Sequence, residues 1–170
     1  MKAVGSFLLA CAVTLLLRTT VLSGLAARGI VIDPLAMVTV LWALRRGDAW
    51  GATMGFALGI VADLDAAHWL GRHALVLTLL GYGIGRLSGT LVRESARAQF
   101  ALVAAGTLVH QLWASAFEMR GGVAGLGFLA ARALLGMLVT AALGVVPTLA
   151  GRILARRPIV GHASRTSSTD

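Results

Sequence analysis

Six long runs of apolar residues divide this chain, and no other feature limits its possible folds as strongly. The runs cover residues 3–25, 30–44, 49–67, 73–92, 98–117 and 123–154. A helix needs about 20 apolar residues to cross the roughly 30 Å hydrocarbon core of a bilayer, and only 13% of this sequence is charged. The sequence therefore predicts an all-α fold, a polytopic membrane helical bundle with about six transmembrane helices.

These runs leave little room for a soluble domain in a chain of 170 residues. We therefore expect residues 1–157 to form a single six-span transmembrane domain. The tail over residues 158–170 is rich in serine and threonine and poor in apolar residues, and such a composition is typical of disordered segments. We expect this tail to be disordered and cytoplasmic.

The basic residues indicate how the bundle is oriented. The chain carries 15 Lys and Arg against 7 Asp and Glu, a net charge of +8, which in a soluble protein would suggest a nucleic-acid partner. With six spans and the N-terminus inside, ten basic residues fall in cytoplasmic segments and three in outer loops. The ten are Lys2, Arg45, Arg46, Arg86, Arg93, Arg97, Arg152, Arg156, Arg157 and Arg165, and the three are Arg28, Arg72 and Arg120. This is the positive-inside bias, so we expect no nucleic-acid partner and a secondary attraction to anionic membrane lipids.

The second run is the weakest predicted span, because Asp33 and Pro34 interrupt it. The twelve residues from 33 to 44 rise only about 18 Å as a helix, well short of the hydrocarbon core. If this run does not cross and the N-terminus lies outside, the inner count of basic residues is again ten, with Arg28 replacing Lys2. The N-terminal amine beside Lys2 slightly favours the six-span arrangement, since it adds a cytoplasmic positive charge.

Small residues four apart form ridges along the predicted spans. In the third span Gly51, Gly55 and Gly59 lead to Asp63, and residues four apart share one face of a helix. Glycine lets a neighbouring backbone approach closely. We therefore predict a helix-packing ridge at Gly51, Gly55 and Gly59.

Polar residues inside the spans form a predicted network in the outer half of the bundle. Its members are Arg18, Asp63, Glu118, Arg132, His110 and Gln111. An ionisable group at mid-bilayer costs about 2.5 to 3.5 kcal/mol and usually faces a partner inside the bundle. Arg18 and Asp63 are expected at similar depth and can meet, whereas the partner of Arg132 stays open. Because the four charges sum to zero, we favour an ion-pair network, structural or for partner docking, over a substrate or ion pathway and over chance spacing.

His110 and Gln111 lie near the middle of the fifth span. An imidazole there suits a proton relay or a metal ion, but no second ligand stands beside it at the spacing of a metal site. Hydrogen bonding to a neighbouring helix is the favoured interpretation. We expect no metal site.

Catalytic motifs are missing from the sequence. It has no Gly-x-Ser-x-Gly elbow, no His-Glu-x-x-His pair and no Walker-type loop. The glycines of residues 81–85 lie inside an apolar run, so they do not form a dinucleotide fingerprint, which joins a strand to a helix. We expect no catalytic residues, no cofactor and no enzymatic activity.

The central part of the chain resembles the family of the rod shape-determining protein MreD. The matching segments are WALRR at 42–46, GATMGFALGIVAD at 51–63, LGRHAL at 70–75 and LGY at 80–82. In that family a short second span with a tyrosine or tryptophan precedes a GFxxGxxxD helix, an LGxxAL turn and a tyrosine in the next span. The similarity covers residues 42–86, and the outer spans agree in hydropathy alone.

The resemblance implies a multi-pass protein of the bacterial inner membrane with six helices and both termini in the cytoplasm. It implies a fold similar to the substrate-binding subunits of energy-coupling-factor transporters, with no known small-molecule substrate. The implied role is a non-enzymatic scaffold or regulator of the cell-elongation complex in peptidoglycan synthesis. Its implied partners are MreC and, through it, MreB, RodA and the elongation transpeptidase.

The same resemblance makes Asp63, Gly71 and Tyr82 motif positions that hold the fold or dock a partner helix. The alternative function is the small-molecule (vitamin-type) binding subunit of a membrane transporter.

Overall fold

In the computed structural model the chain is helical throughout its six elements. The structure describes residues 2–22, 24, 32–66, 70–88, 95–118 and 126–155. The elements within these ranges are α1 Lys2–Leu17 with a π-helical extension Arg18–Leu22, α2 Pro34–Arg46, α3 Asp48–Ala66, α4 Arg72–Leu87, α5 Ala96–Glu118 and α6 Leu126–Ala155. The predicted disordered tail, residues 158–170, lies outside the described residues.

Three of these helices are long and apolar enough to cross a membrane by length and composition. The stretches are Ala3–Thr20 of α1 and its π-helical extension, Ala96–Phe117 of α5 and Ala130–Ala150 of α6. Among the described residues there is no strand, so the predicted fold class, a helical membrane bundle, is confirmed. Large apolar side chains are exposed on the outer faces of the helices, as suits contact with lipid.

Helix α2 starts inside the bundle because of the Asp33-Pro34 pair. Oδ1 of Asp33 accepts a hydrogen bond from the backbone N–H of Ala36 at 3.0 Å, which is the usual N-cap contact, and Pro34 takes the first helical position, where its missing N–H costs nothing. The pair that interrupts the second apolar run is therefore a helix start. The 13 residues of α2 span only about 20 Å.

Helices α3 and α4 pack with their backbones in direct contact. A Cβ on Gly55 would overlap the backbone of Leu77, and one on Gly59 would overlap Ala74. Gly51 lies equally close to Gly81 of α4. All three positions of the predicted glycine ridge thus lie in this antiparallel interface, where any side chain would force the two helices apart.

Helix α1 starts and helix α6 ends at the same end of the bundle. Near the start of α1, Oγ of Ser6 accepts a hydrogen bond from Nη2 of Arg46, the last residue of α2, at 3.4 Å. Near the finish of α6, Thr148 donates to the side chain of Gln99 in the first turn of α5. The exposed arginines at this end, here called the arginine end, are Arg45, Arg46, Arg86 and Arg97.

Candidate functional site: a buried polar chain

The centre of the polar interior is Asp33, which is 7% exposed. While its Oδ1 caps α2, its Oδ2 accepts a hydrogen bond from Nδ1 of His110 on α5 at 2.5 Å. The backbone N–H of Asp33 donates to Oγ1 of Thr140 on α6 at 3.0 Å. One residue at the start of α2 therefore joins that helix to both α5 and α6.

The second link is a contact between two histidines. Nε2 of His110 lies 3.0 Å from Nδ1 of His73, at the start of α4, and both side chains are buried. A hydrogen bond between two ring nitrogens needs one donor and one acceptor. Nδ1 of His110 donates to Asp33, and one of the two nitrogens that face each other, Nε2 of His110 or Nδ1 of His73, donates to the other.

The third link is Asp63 on α3, which is completely buried. Its Oδ1 accepts from the backbone N–H of His73, and its Oδ2 accepts from the N–H groups of Gly71 and Ala74, all at 3.0 Å. These donors are the free N–H groups at the N-terminus of α4, where the helix dipole also favours a negative charge. Asp63 therefore fixes the first turn of α4 onto α3.

Gly71 has a backbone reason to be glycine. Its φ is +95°, which side chains rarely tolerate, and this conformation presents its N–H to Asp63. The other motif position, Tyr82, lies on α4 with its side chain 46% exposed, on a face that no helix among the described residues covers.

Together these bonds form one connected set, here called the polar chain. Its members are Thr140, Asp33, His110, His73 and Asp63, which lie on or cap α6, α2, α5, α4 and α3. Polar side chains that bond across helices hold membrane bundles together, because lipid offers them no other partner. Among the described residues, no three His, Cys, Asp or Glu side chains gather as a metal ion would require.

Arg18 and Asp63, which the sequence places at similar depth, do not pair in the structure. Nη2 of Arg18 lies 3.4 Å from Oδ2 of Asp65 instead, and both oxygens of Asp63 are taken by the backbone of α4. Residues two apart on a helix point in nearly opposite directions. Asp63 therefore faces α4, while Asp65 faces outward with its side chain 63% exposed.

Two other members of the predicted network, Arg132 and Gln111, stand apart from the polar chain, and the side chain of a third, Glu118, lies outside the described residues. Arg132 is exposed on α6. Gln111 is half-buried, and its Nε2 has no hydrogen-bond partner among the described residues. Among the described side chains of the predicted network, His110 and Asp63 are the two that the structure brings into one connected set.

Sequence reasoning missed Asp33, His73 and Thr140 as site residues. An Asp-Pro pair before an apolar helix is a recognised helix-start signal, and it was the signal available for Asp33. A second histidine within the apolar runs pointed in the same way to a partner for His110. Nothing in the spacing of Thr140 distinguishes it from other threonines that bond their own helix.

Comparison with known proteins gives one finding about relationship. The model of the family described as rod shape-determining protein MreD matches residues 1–155, which extends well beyond the central resemblance at residues 42–86. No curated protein and no solved structure matches the chain. The family match therefore includes all six helices and every member of the polar chain.

Proposed function

This chain belongs to the MreD family of rod shape-determining proteins, and on that premise we propose that it is a non-enzymatic scaffold of the bacterial cell-elongation complex. Family membership makes it a membrane protein with a role in cell shape. The proposal adds that it works in the inner membrane by binding the membrane helices of the machinery that synthesises peptidoglycan.

The polar chain is the observation that carries this proposal. Its carboxylates and imidazoles bond to one another and to the backbone at helix starts. These bonds hold the five helices from α2 through α6 in one arrangement. The outer faces of the helices are apolar, with Leu9 of α1 66% and Leu135 of α6 64% exposed. A rigid interior with apolar outer faces suits a protein that acts by helix contacts, which packing and interhelical hydrogen bonds drive in lipid.

For partners we propose MreC and, through it, MreB, RodA and the elongation transpeptidase. The family's place in the MreB and MreC shape-determining system supports this choice. The alternative, a vitamin-binding transporter subunit, gains no support from the family match.

We also propose that the arginine end faces the cytoplasm. Four exposed arginines lie there, and the positive-inside rule places such residues in the cytoplasm. Since α1 starts and α6 finishes at this end, both termini would then be cytoplasmic, which supports the six-span topology.

Site-specific photocrosslinking in native membranes tests the scaffold proposal. A photoreactive residue replaces Leu9 of α1, Leu79 of α4 or Leu135 of α6, each more than half exposed, and the crosslinked proteins are identified by mass spectrometry. We expect at least one helix face to capture MreC or a wall synthase. The matched control is the same residue in the tail, at Ser167. Capture of lipid alone from all three faces, in membranes where MreC crosslinks to other elongation proteins, would contradict the proposal.

A further inference from the structure

An apolar groove runs along the outside of the bundle between α4 and α5. Its volume is 440 Å³, and its walls are side chains of α4, including Leu79 and Leu87, with Val109 and Trp113 of α5. Leu79 is 61% exposed and Leu87 is 52% exposed, so the groove opens outward. In a membrane it faces the lipid.

Gly83, in the floor of this groove, is a glycine that the chain's own packing does not require. A Cβ at Gly81 or Gly85 would overlap the backbone of α3, whereas a Cβ at Gly83 would meet nothing within 4 Å. The missing side chain of Gly83 therefore leaves space that another molecule can enter.

The two ends of the groove differ in chemistry. Trp113 closes one end, and its indole N–H donates to the backbone carbonyl of Arg72 at 3.0 Å. At the other end Arg86 precedes Leu87 at the arginine end, with its side chain 71% exposed and its Nη1 a long 4.0 Å from Oδ2 of Asp48. An apolar slot with a cation at one mouth is complementary to a hydrocarbon chain with an anionic head.

We propose that this groove is a binding site for one acyl chain of an anionic glycerophospholipid. The chain lies over Gly83 between α4 and α5, and the phosphate accepts hydrogen bonds from the guanidinium of Arg86, which donates in the forked geometry that suits phosphate oxygens. The bound lipid fills the outer side of the α4–α5 contact, whose polar bonds lie at the far end with His73, His110 and Trp113.

Lipid retention by the purified full-length protein tests this site. The protein is extracted in mild detergent, supplied with phosphatidylglycerol or phosphatidylcholine, and analysed by native mass spectrometry. We expect one retained phosphatidylglycerol and about tenfold weaker retention in Gly83→Leu, since the added side chain overfills the slot. Gly5→Leu is the matched control, because Gly5 is also a helical glycine with nothing within 4 Å of an added Cβ; it should retain the lipid.

Two further measurements complete the test. Arg86→Gln should remove the preference for phosphatidylglycerol over phosphatidylcholine, and phosphatidylglycerol with brominated chains should quench a fluorescence component that Trp113→Phe abolishes.

Gly83→Ala, with a single added methyl group, serves if Gly83→Leu folds poorly, and it should show a smaller loss of lipid retention. Equal retention by wild type and both Gly83 variants would overturn the proposal. So would loss of MreC crosslinking in Gly83→Leu with lipid retention unchanged, which would make the groove a helix-docking site.

Discussion

The rings of His73 and His110 face each other across the α4–α5 interface, with Nδ1 of the first 3.0 Å from Nε2 of the second. Asp33 holds the opposite nitrogen of His110 at 2.5 Å, and the backbone N–H of His73 is bonded to Asp63. The ring of His110 therefore cannot turn away without also breaking its bond to Asp33. Because Asp63 fixes the backbone of His73 onto α3, the contact between the two rings links this first turn of α4 to α5.

Removing this contact should destabilise the bundle. His73→Phe keeps a ring at the start of α4 but leaves Nε2 of the buried His110 without this partner, so we expect a loss of about 1 to 3 kcal/mol in the free energy of unfolding. Reversible unfolding in mixed micelles measures this loss.

The control is a histidine in the tail. His162→Phe should leave the free energy of unfolding unchanged. An equal loss in the two variants would show that the contact between His73 and His110 does not stabilise the bundle.

Two substitutions at Asp33 separate its roles as helix cap and as histidine partner. Asn is as good an N-cap as Asp, so Asp33→Asn should keep the start of α2 and lose only the charged partner of His110. Asp33→Ala should lose both, adding about 1 kcal/mol for the cap and about 1 to 3 kcal/mol for the unsatisfied ring nitrogen. Reversible unfolding in mixed micelles measures the free energy of unfolding of both variants, and we expect the larger loss in Asp33→Ala. Equal losses in the two variants would contradict the cap.

Asp63 and Asp65 should differ greatly in their contribution to stability. Asp63→Ala leaves three backbone N–H groups of α4 without acceptors and should cost about 3 kcal/mol or more. Asp65→Ala removes an exposed ion pair with Arg18, and such pairs are worth about 0.2 to 1 kcal/mol. The same unfolding measurement compares them. In a double-mutant cycle Arg18 should couple to Asp65 and act additively with Asp63; the reverse result would restore the pairing expected from the sequence.

A methyl group at the α3–α4 interface should be costly. A Cβ at Gly55 would overlap the backbone of Leu77, so Gly55→Ala must separate the helices, and we expect a loss of about 1 to 3 kcal/mol. Gly5→Ala, where there is open space, should be neutral or slightly stabilising because alanine favours helix. Thermal unfolding of the two variants side by side decides this, and equal melting temperatures would mean that α3 and α4 tolerate wider spacing.

Helix content was readable from the sequence because apolar runs dictate it directly. The glycine ridge was readable for a related reason, since residues four apart must share a helix face wherever the helix lies. The sequence did not show which carboxylate pairs with Arg18. Asp63 and Asp65 differ by two positions, and deciding which one faces Arg18 requires the rotation of α3, which is fixed by its packing on α4.

The bond between Asp33 and His110 was beyond pattern reasoning for a different reason. It joins residues that are 77 positions apart in the chain. One caps α2 and the other lies on α5, and local spacing does not determine how these two helices are rotated relative to each other. The Asp-Pro pair indicated a helix start, but it did not indicate what else the carboxylate would bind. Tertiary packing made the start of α2 the centre of the interior.

That position of α2 has a consequence for the order in which the molecule can be made. Asp33 leaves the ribosome long before its partners on other helices, since His110 is 77 residues further along the chain and Thr140 is 107 residues further. Synthesis at about 5 to 20 residues per second separates Asp33 from Thr140 by about 5 to 20 seconds. Until α5 is made, Oδ2 of Asp33 lacks its histidine partner, and until α6 is made, the backbone N–H of Asp33 lacks its acceptor. The bonds of Asp33 are therefore complete only when the last helix is in place, and we expect a chain truncated before α6 to be degraded as unfinished.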